Sequence, residues 1–143
     1  MKLFISGTAR FNNKSNILSE SVKQYLREKI EENVEILIGD CVGVDTLVQS
    51  FLFNENYNNV TVYVSGKHVR NNIGGWHVKH IDASCAITKY DFYSQKDKAM
   101  QNDCDIALAL WDGKSKGTGE NIKAIMAMNK PIIIYNIIKN KWY

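Results

Sequence analysis

The stretch Asp105-Ile106-Ala107-Leu108-Ala109-Leu110-Trp111-Asp112-Gly113-Lys114-Ser115-Lys116-Gly117-Thr118 decides how this chain folds. From Ile106 to Trp111 it is an unbroken apolar run of strand length, the pattern of a β-strand buried on both faces. Such strands belong to parallel sheets covered by helices. The polar, glycine-bearing turn that follows runs into a helix, with Thr118 read as its cap and Ile122, Ile125 and Met126 on one face. Asn129 ends that helix, and Pro131 opens a further strand, Ile132-Ile133-Ile134-Tyr135.

The same unit recurs toward the N-terminus. Lys2 to Ser6 reads as a strand. Ser15 or Ser19 then caps a helix whose Leu18, Val22, Leu26 and Ile30 form one stripe with Tyr25 alongside. Val34 to Ile38 is a second strand ending at Gly39-Asp40, and a helix from about Asp45 turns Leu47, Val48, Phe51 and Leu52 inward. Val60 to Val64 alternates strictly, as a half-buried strand near a sheet edge does. Gly66 to about Phe92, with Gly74-Gly75 inside it, reads as a long irregular segment of the kind that carries function. Ser94-x-x-Asp97 resembles a capping box for a short helix through Asp103. Strand–helix alternation of this kind defines an α/β fold, a mostly parallel sheet of about five strands with helices on both faces. No repeat or linker interrupts it, so residues 1–143 are expected to form one domain. The apolar tail Ile137 to Tyr143 points to a subunit contact, and a homo-oligomer is expected.

Composition narrows the function. At 143 residues, 45% hydrophobic and 23% charged, the chain has the balance of a globular domain. No apolar run approaches the roughly 20 residues of a membrane span. The apolar stretch within Met1 to Gly7 is also too short for a secretory signal, so a cytoplasmic location and no membrane partner are expected. The three cysteines, Cys41, Cys85 and Cys104, include no C-x-x-C pair, which excludes a disulfide framework or zinc knuckle. His77-x-x-His80, even with His68 and Cys85 nearby, lacks zinc-site spacing, and no metal is expected. A net charge of +3 suits a small anionic ligand better than duplex DNA, so nucleic acid is not the expected partner.

In open parallel sheets, ligands bind where strands end and helices begin. Three polar, glycine-rich segments fall there: Ser6-Gly7-Thr8-Ala9-Arg10, Gly39-Asp40-Cys41-Val42-Gly43-Val44-Asp45, and Asp112 through Glu120. Free backbone N–H groups and helix dipoles at such positions favour a phosphate, and Arg10, Lys114 and Lys116 add charge. Neither a P-loop nor a G-x-G-x-x-G fingerprint occurs.

These segments, with Lys96-Asp97-Lys98-Ala99-Met100, resemble the YspA-like branch of the SLOG superfamily, which includes DprA-type DNA-processing proteins and Lonely Guy phosphoribohydrolases. The resemblance covers nearly the whole chain. It implies a Rossmann-like three-layer sandwich holding a nucleotide or an NAD- or ADP-ribose-derived signal, as in antiviral defence. Carried over by position, Gly7, Thr8 and Arg10 would hold one end of the ligand, Gly39, Asp40, Gly43 and Asp45 its middle, and Gly113, Ser115, Gly117 and Thr118 its phosphate. In the phosphoribohydrolase pattern P-G-G-x-G-T-x-x-E the last position is a carboxylate. Here it is Asn121, which cannot act as a general acid or base, and the adjacent Glu120 points about 100° away on a helix.

The remaining candidates carry two readings each. Asp97 orients a ribose, serves with Glu120 as a catalytic carboxylate, or caps a helix with Ser94. Lys96 and Asp112 sit within the matching motifs and are expected at the ligand. Arg70, Asn71, Asn72 and Trp76 form a flap over the ligand or an ordinary loop. Cys41 is a helix-activated thiol or, with no histidine beside it, an idle one. Tyr90, Phe92, Tyr93 and Trp111 sandwich a base or fill the core. The leading expectation is a non-catalytic nucleotide sensor or sequestering protein without a cofactor. An N-glycosidic hydrolase or transferase and a DprA-like single-stranded DNA binder are the alternatives.

Overall fold

In the computed structural model, which describes residues 1–9 and 17–143, strand β1 (Lys2–Gly7) occupies the middle of a seven-stranded sheet. On one side stand β2 (Glu35–Gly39), β3 (Val60–Ser65) and β4 (His77–Ile81). On the other stand β5 (Ile106–Trp111), β6 (Ile132–Asn136) and β7 (Lys141–Trp142). All neighbours are parallel except β6 and β7, and the register sets Ile5 level with Ile38 of β2 and Leu108 of β5.

Side chains alternate across the sheet, as the pleat requires. Leu3, Ile5, Ile36, Ile38 and Leu108 face helices α1 (Glu20–Glu31) and α2 (Val44–Asn54), where Val22, Leu26, Val48 and Leu52 meet them. Phe4, Leu37, Tyr63 and Ala107 face helices α3 (Lys89–Asp103) and α4 (Lys116–Ala127), through Met100, Cys104 and Ile125. The result is a three-layer, Rossmann-like α/β fold. Ser19 caps α1, its side-chain oxygen accepting from the Val22 amide; the alternative, Ser15, lies outside the described residues.

The sheet has more strands than the five expected. The additional β4 lies inside the segment read as irregular, pairing with β3 from Thr61–His77 to Ser65–Ile81. Its exposed, mixed residues carry no alternation, so only the open edge of β3 reveals it. Consequently β3 is buried along most of its length. The tail contributes β7, whose Trp142 ring lies 4.8 Å from Tyr135 and 5.9 Å from Tyr25, so this aromatic is engaged within the chain.

Two helix starts also differ from expectation. Helix α3 begins five residues before Ser94: Thr88 caps it by accepting from the Asp91 amide, and Ser94 instead donates to the Asp91 carbonyl. Asp97 is therefore mid-helix and caps nothing. Helix α4 begins at Lys116 with Ser115 at the cap position, so Thr118 is a buried first-turn residue. No helix among the described residues is long and apolar enough to cross a membrane.

Candidate functional site

Strand order reverses between β1 and β5, because the chain builds outward from β1 to β4 and then returns through α3 to the other side. The two following loops part there and leave a crevice. A cavity of about 650 Å³ occupies it, walled by α3 and α4. Of the residues singled out from sequence, Gly7, Gly39, Asp45, Lys96 and Asp97 line it, and so do Asp112, Lys114, Ser115, Gly117 and Thr118.

The β5 end is built for an anion. The Asp112 carboxylate accepts from the Lys114 and Ser115 amides at 2.8 and 2.7 Å and from the Ser115 hydroxyl at 2.8 Å, folding the loop back on itself. Burial alone would raise the Asp112 carboxyl, but these bonds outweigh it and hold it below the usual range. Ser115 makes no side-chain cap, so the first-turn amides of α4 lack intrahelical partners. A methyl group placed on Gly117 would meet nothing within 4 Å, so this backbone faces open space in the cavity. Lys114 and Lys116 stand at the rim, with Lys116 Nζ 4.4 Å from the centre of the Tyr90 ring.

The opposite wall holds a buried charge cluster. Lys96, 6% exposed, donates from Nζ to Asp97 Oδ1 at 2.8 Å. Asn121 Nδ2 donates to Asp97 Oδ2 at 3.2 Å and to Ser6 Oγ at 2.8 Å, while Asn121 Oδ1 accepts from Gln101. Asp45 Oδ2 accepts from the Cys41 amide at 3.2 Å. A methyl group on Gly39 would lie 2.8 Å from Asp45 Oδ2 and 3.4 Å from Lys96 Nζ, so only glycine lets these groups converge over the end of β2.

Burial pushes the Asp45 carboxyl up to about 7; Lys96 opposes the shift and Asp97 and Asp40 add to it. An unfolded aspartate titrates near 4. The raised folded value therefore contributes stability that is complete below about pH 4 and is lost as pH climbs through 7. Asp45→Asn keeps an acceptor for Cys41 and removes that loss. Urea denaturation from pH 4 to 8 is expected to show the variant gaining on the wild type, by up to about 4 kcal/mol above pH 7. A gap that does not widen with pH would contradict this.

Other candidates lie elsewhere. Thr8 is 1% exposed and ties loops together: its hydroxyl oxygen accepts from the Asp112 amide at 3.1 Å, and its carbonyl accepts from Val44 N. Asp40 is buried against Arg70, which donates to it from Nη2 at 2.8 Å and from its amide at 3.0 Å. The Arg70 guanidinium sits 4.0 Å above the Tyr93 ring, so it bears on the cavity through Tyr93. Gly43 and Gly113 shape turns, both at φ 84°. Glu120 lies outside the main cavity, pairing with Lys123 at 3.7 Å and lining a smaller pocket of about 410 Å³. Arg10 lies outside the described residues.

The flap is replaced by a fastened crossover between β3 and β4. Trp76 is 8% exposed in the core on the α2 side, with Nε1 donating to the Tyr57 carbonyl at 2.8 Å. Asn71 donates to Thr46, and Gln49 holds the Asn71 carbonyl and the Ile73 amide. Of the four candidate rings, Tyr90 and Tyr93 line the cavity, while Phe92 and Trp111 do not. Cys41 lines it too, but burial and then Asp45 push its thiol up, so it is not an activated nucleophile. Asn121 and Ser6 were not placed at the site from sequence. Asn121 read only as a missing carboxylate, and no local signal shows that its amide bridges β1 and α3.

The fold and crevice together define a Rossmann-like α/β protein with its cavity at the carboxyl ends of the strands. No family model and no curated protein matches the sequence. Among solved structures, the chain is similar to TM1055, a structural-genomics target, at 20% identity and a TM-score of 0.67 over 92% of this chain and 71% of that one. It is also similar to DNA processing protein A from Helicobacter pylori, described for its single-stranded DNA binding mode. That likeness has 16% identity and a TM-score of 0.66 over 94% of this chain and 65% of that one, just under two thirds of the neighbour's length. Both are Rossmann-like, and at these identities the likeness establishes the fold.

Proposed function

We propose that this chain is a SLOG-type nucleotide-binding protein. Its ligand is a nucleotide or an NAD- or ADP-ribose-derived molecule, held over the strand ends by a sensor or sequestering protein. The observation carrying this reading is the convergence of Gly7, Gly39 and the Asp112–Thr118 loop on one cavity, with the α4 N-terminus open into it. A helix terminus with rim lysines favours phosphate, and two tyrosines on the α3 side offer faces for a base. Binding without turnover fits the site better than N-glycosidic cleavage. Asn121 carries an amide where the resembled hydrolases carry a carboxylate, and that amide is engaged by three internal partners.

Calorimetry with AMP, ADP, NAD and ADP-ribose tests the reading; no heat from any of them would overturn it. Gly117→Ala adds a methyl group to open space, so the thermal midpoint is expected to hold while affinity falls by about tenfold or more, a loss of at least ~1.4 kcal/mol. An unchanged affinity would place the anion elsewhere. Single-stranded DNA is the second reading, favoured by the likeness to DNA processing protein A. An oligonucleotide affinity that falls steeply with salt, in a protein that ignores mononucleotides, would put it first.

A further inference from the structure

Resting on the nucleotide reading, we propose that Asp97 is the specificity-determining residue of the cavity, accepting both hydroxyls of a ribose diol so that ribonucleotides are selected over 2′-deoxy and 2′-phosphorylated ones. The argument is one of donors and acceptors. Asp97 sits in the middle of α3, one-fifth exposed, and belongs to both the main cavity and the smaller pocket beside it. Each of its oxygens is held from within by one donor, Oδ1 by Lys96 Nζ and Oδ2 by Asn121 Nδ2. A carboxylate offers about four lone-pair positions, so one on each oxygen is left for a guest. Those two positions form a planar fork, which two hydroxyls on adjacent carbons complement.

The two side chains that hold Asp97 do not take this role themselves. Asn121 has two N–H donors, and Ser6 and Asp97 occupy them; its oxygen accepts from Gln101. It therefore positions the carboxylate and contributes no free donor of its own. Lys96 approaches from the buried side and holds its ammonium 2.8 Å from the carboxylate, whose remaining lone pairs can only accept. A hydroxyl satisfies such a group, a bare methylene leaves it unpaired, and a 2′-phosphate brings like charge. A site built to bind a hydroxyl rejects the analogue lacking it far more strongly than an apolar pocket does. The spacing agrees: Gly117 and Asn121 are one turn apart on α4, about 6 Å along the axis. A phosphate at the helix terminus thus puts its sugar ring beside Asp97.

The test uses the intact chain and two matched pairs: AMP against 2′-deoxy-AMP, and ribose 5-phosphate against 2-deoxyribose 5-phosphate, by calorimetry at pH 7.5. The wild type is expected to bind each ribo compound about tenfold tighter or better. Asp97→Asn, with folding checked by circular dichroism, is expected to bring each ratio to within about twofold, an effect that a purely structural role for Asp97 would not produce. Equal affinity for the paired compounds in the wild type overturns the proposal by itself, whether or not the variant folds. A ratio that survives in Asp97→Asn does so as well. Those results leave nucleotide binding standing, whereas no binding of any of the four, nor of ADP-ribose, removes the nucleotide reading and this proposal with it.

Discussion

Gly43→Ala is expected to destabilise the protein by about 3–5 kcal/mol, enough to unfold much of it at moderate temperature. Gly43 precedes α2 at φ 84° and ψ −127°, a backbone region essentially restricted to glycine. A Cβ there would stand 2.7 Å from the Thr8 carbonyl oxygen and closer still to that of Ala9. These are backbone atoms with no rotamer to escape into, and the Thr8 carbonyl is already accepting from the Val44 amide at 3.1 Å. Clash and backbone strain therefore add. Gly75→Ala is the control: its φ is also positive, at 61°, but nothing lies within 4 Å of the added methyl. Left-handed strain alone should cost it about 1–2 kcal/mol. Urea midpoints for the two variants check the difference, and similar losses would show that packing against the Thr8–Ala9 backbone is not what requires Gly43.

The second large effect is expected from Lys96→Met. Methionine keeps most of the apolar stem, but it removes the cation that pairs with Asp97 and opposes the upward shift of the buried Asp45. Breaking a buried pair by deleting one partner typically costs about 3–5 kcal/mol, since the remaining charge is stranded. Here Asp45, already pushed up by burial, loses the cation that opposes that shift, and it can escape by keeping its proton. The loss should therefore be greatest near pH 8 and shrink toward pH 5, opposite in sign to the Asp45→Asn effect. Combining the substitutions gives a sharper measurement. Asp45→Asn should recover more stability in the Lys96→Met background than in the wild type, a coupling that a double-mutant cycle reads directly. A pH-independent loss would mean that Lys96 acts only through packing.

What was legible in the sequence follows from burial. β1, β2, β5 and β6 stand out as apolar runs; the first three are enclosed between helices almost throughout, and β6 is partly covered. Helices α1 and α2 show their stripes because each rests an apolar face on the sheet. Helix α3 is different. Its buried residues are Lys96, Met100 and Gln101, so the face turned inward is mostly polar, and its first turn is aromatic enough to read as loop. The polar cavity that makes α3 interesting is what erased its periodicity. β4 failed for the converse reason: as an edge strand open to solvent it turns only Val78 and Ile81 inward, one toward each core, too few to form a pattern.

The glycine turns, the Asp112–Thr118 segment and the alternation of strand and helix are local or periodic features, written along the chain. They were sufficient to identify the α/β class and to put the candidate site at the carboxyl ends of the strands. Which polar residues meet there is a long-range matter. Ser6 and Asn121 are 115 residues apart, Asp40 turns away to Arg70 30 residues on, and Trp76 closes a core on the far side of the sheet. Hydrogen bonds of that span have no sequence period, and they form only after sheet order and helix placement have brought their partners together. Tertiary structure alone therefore decided that Asp97 faces the cavity as a held carboxylate and that the 66–76 crossover is fastened down.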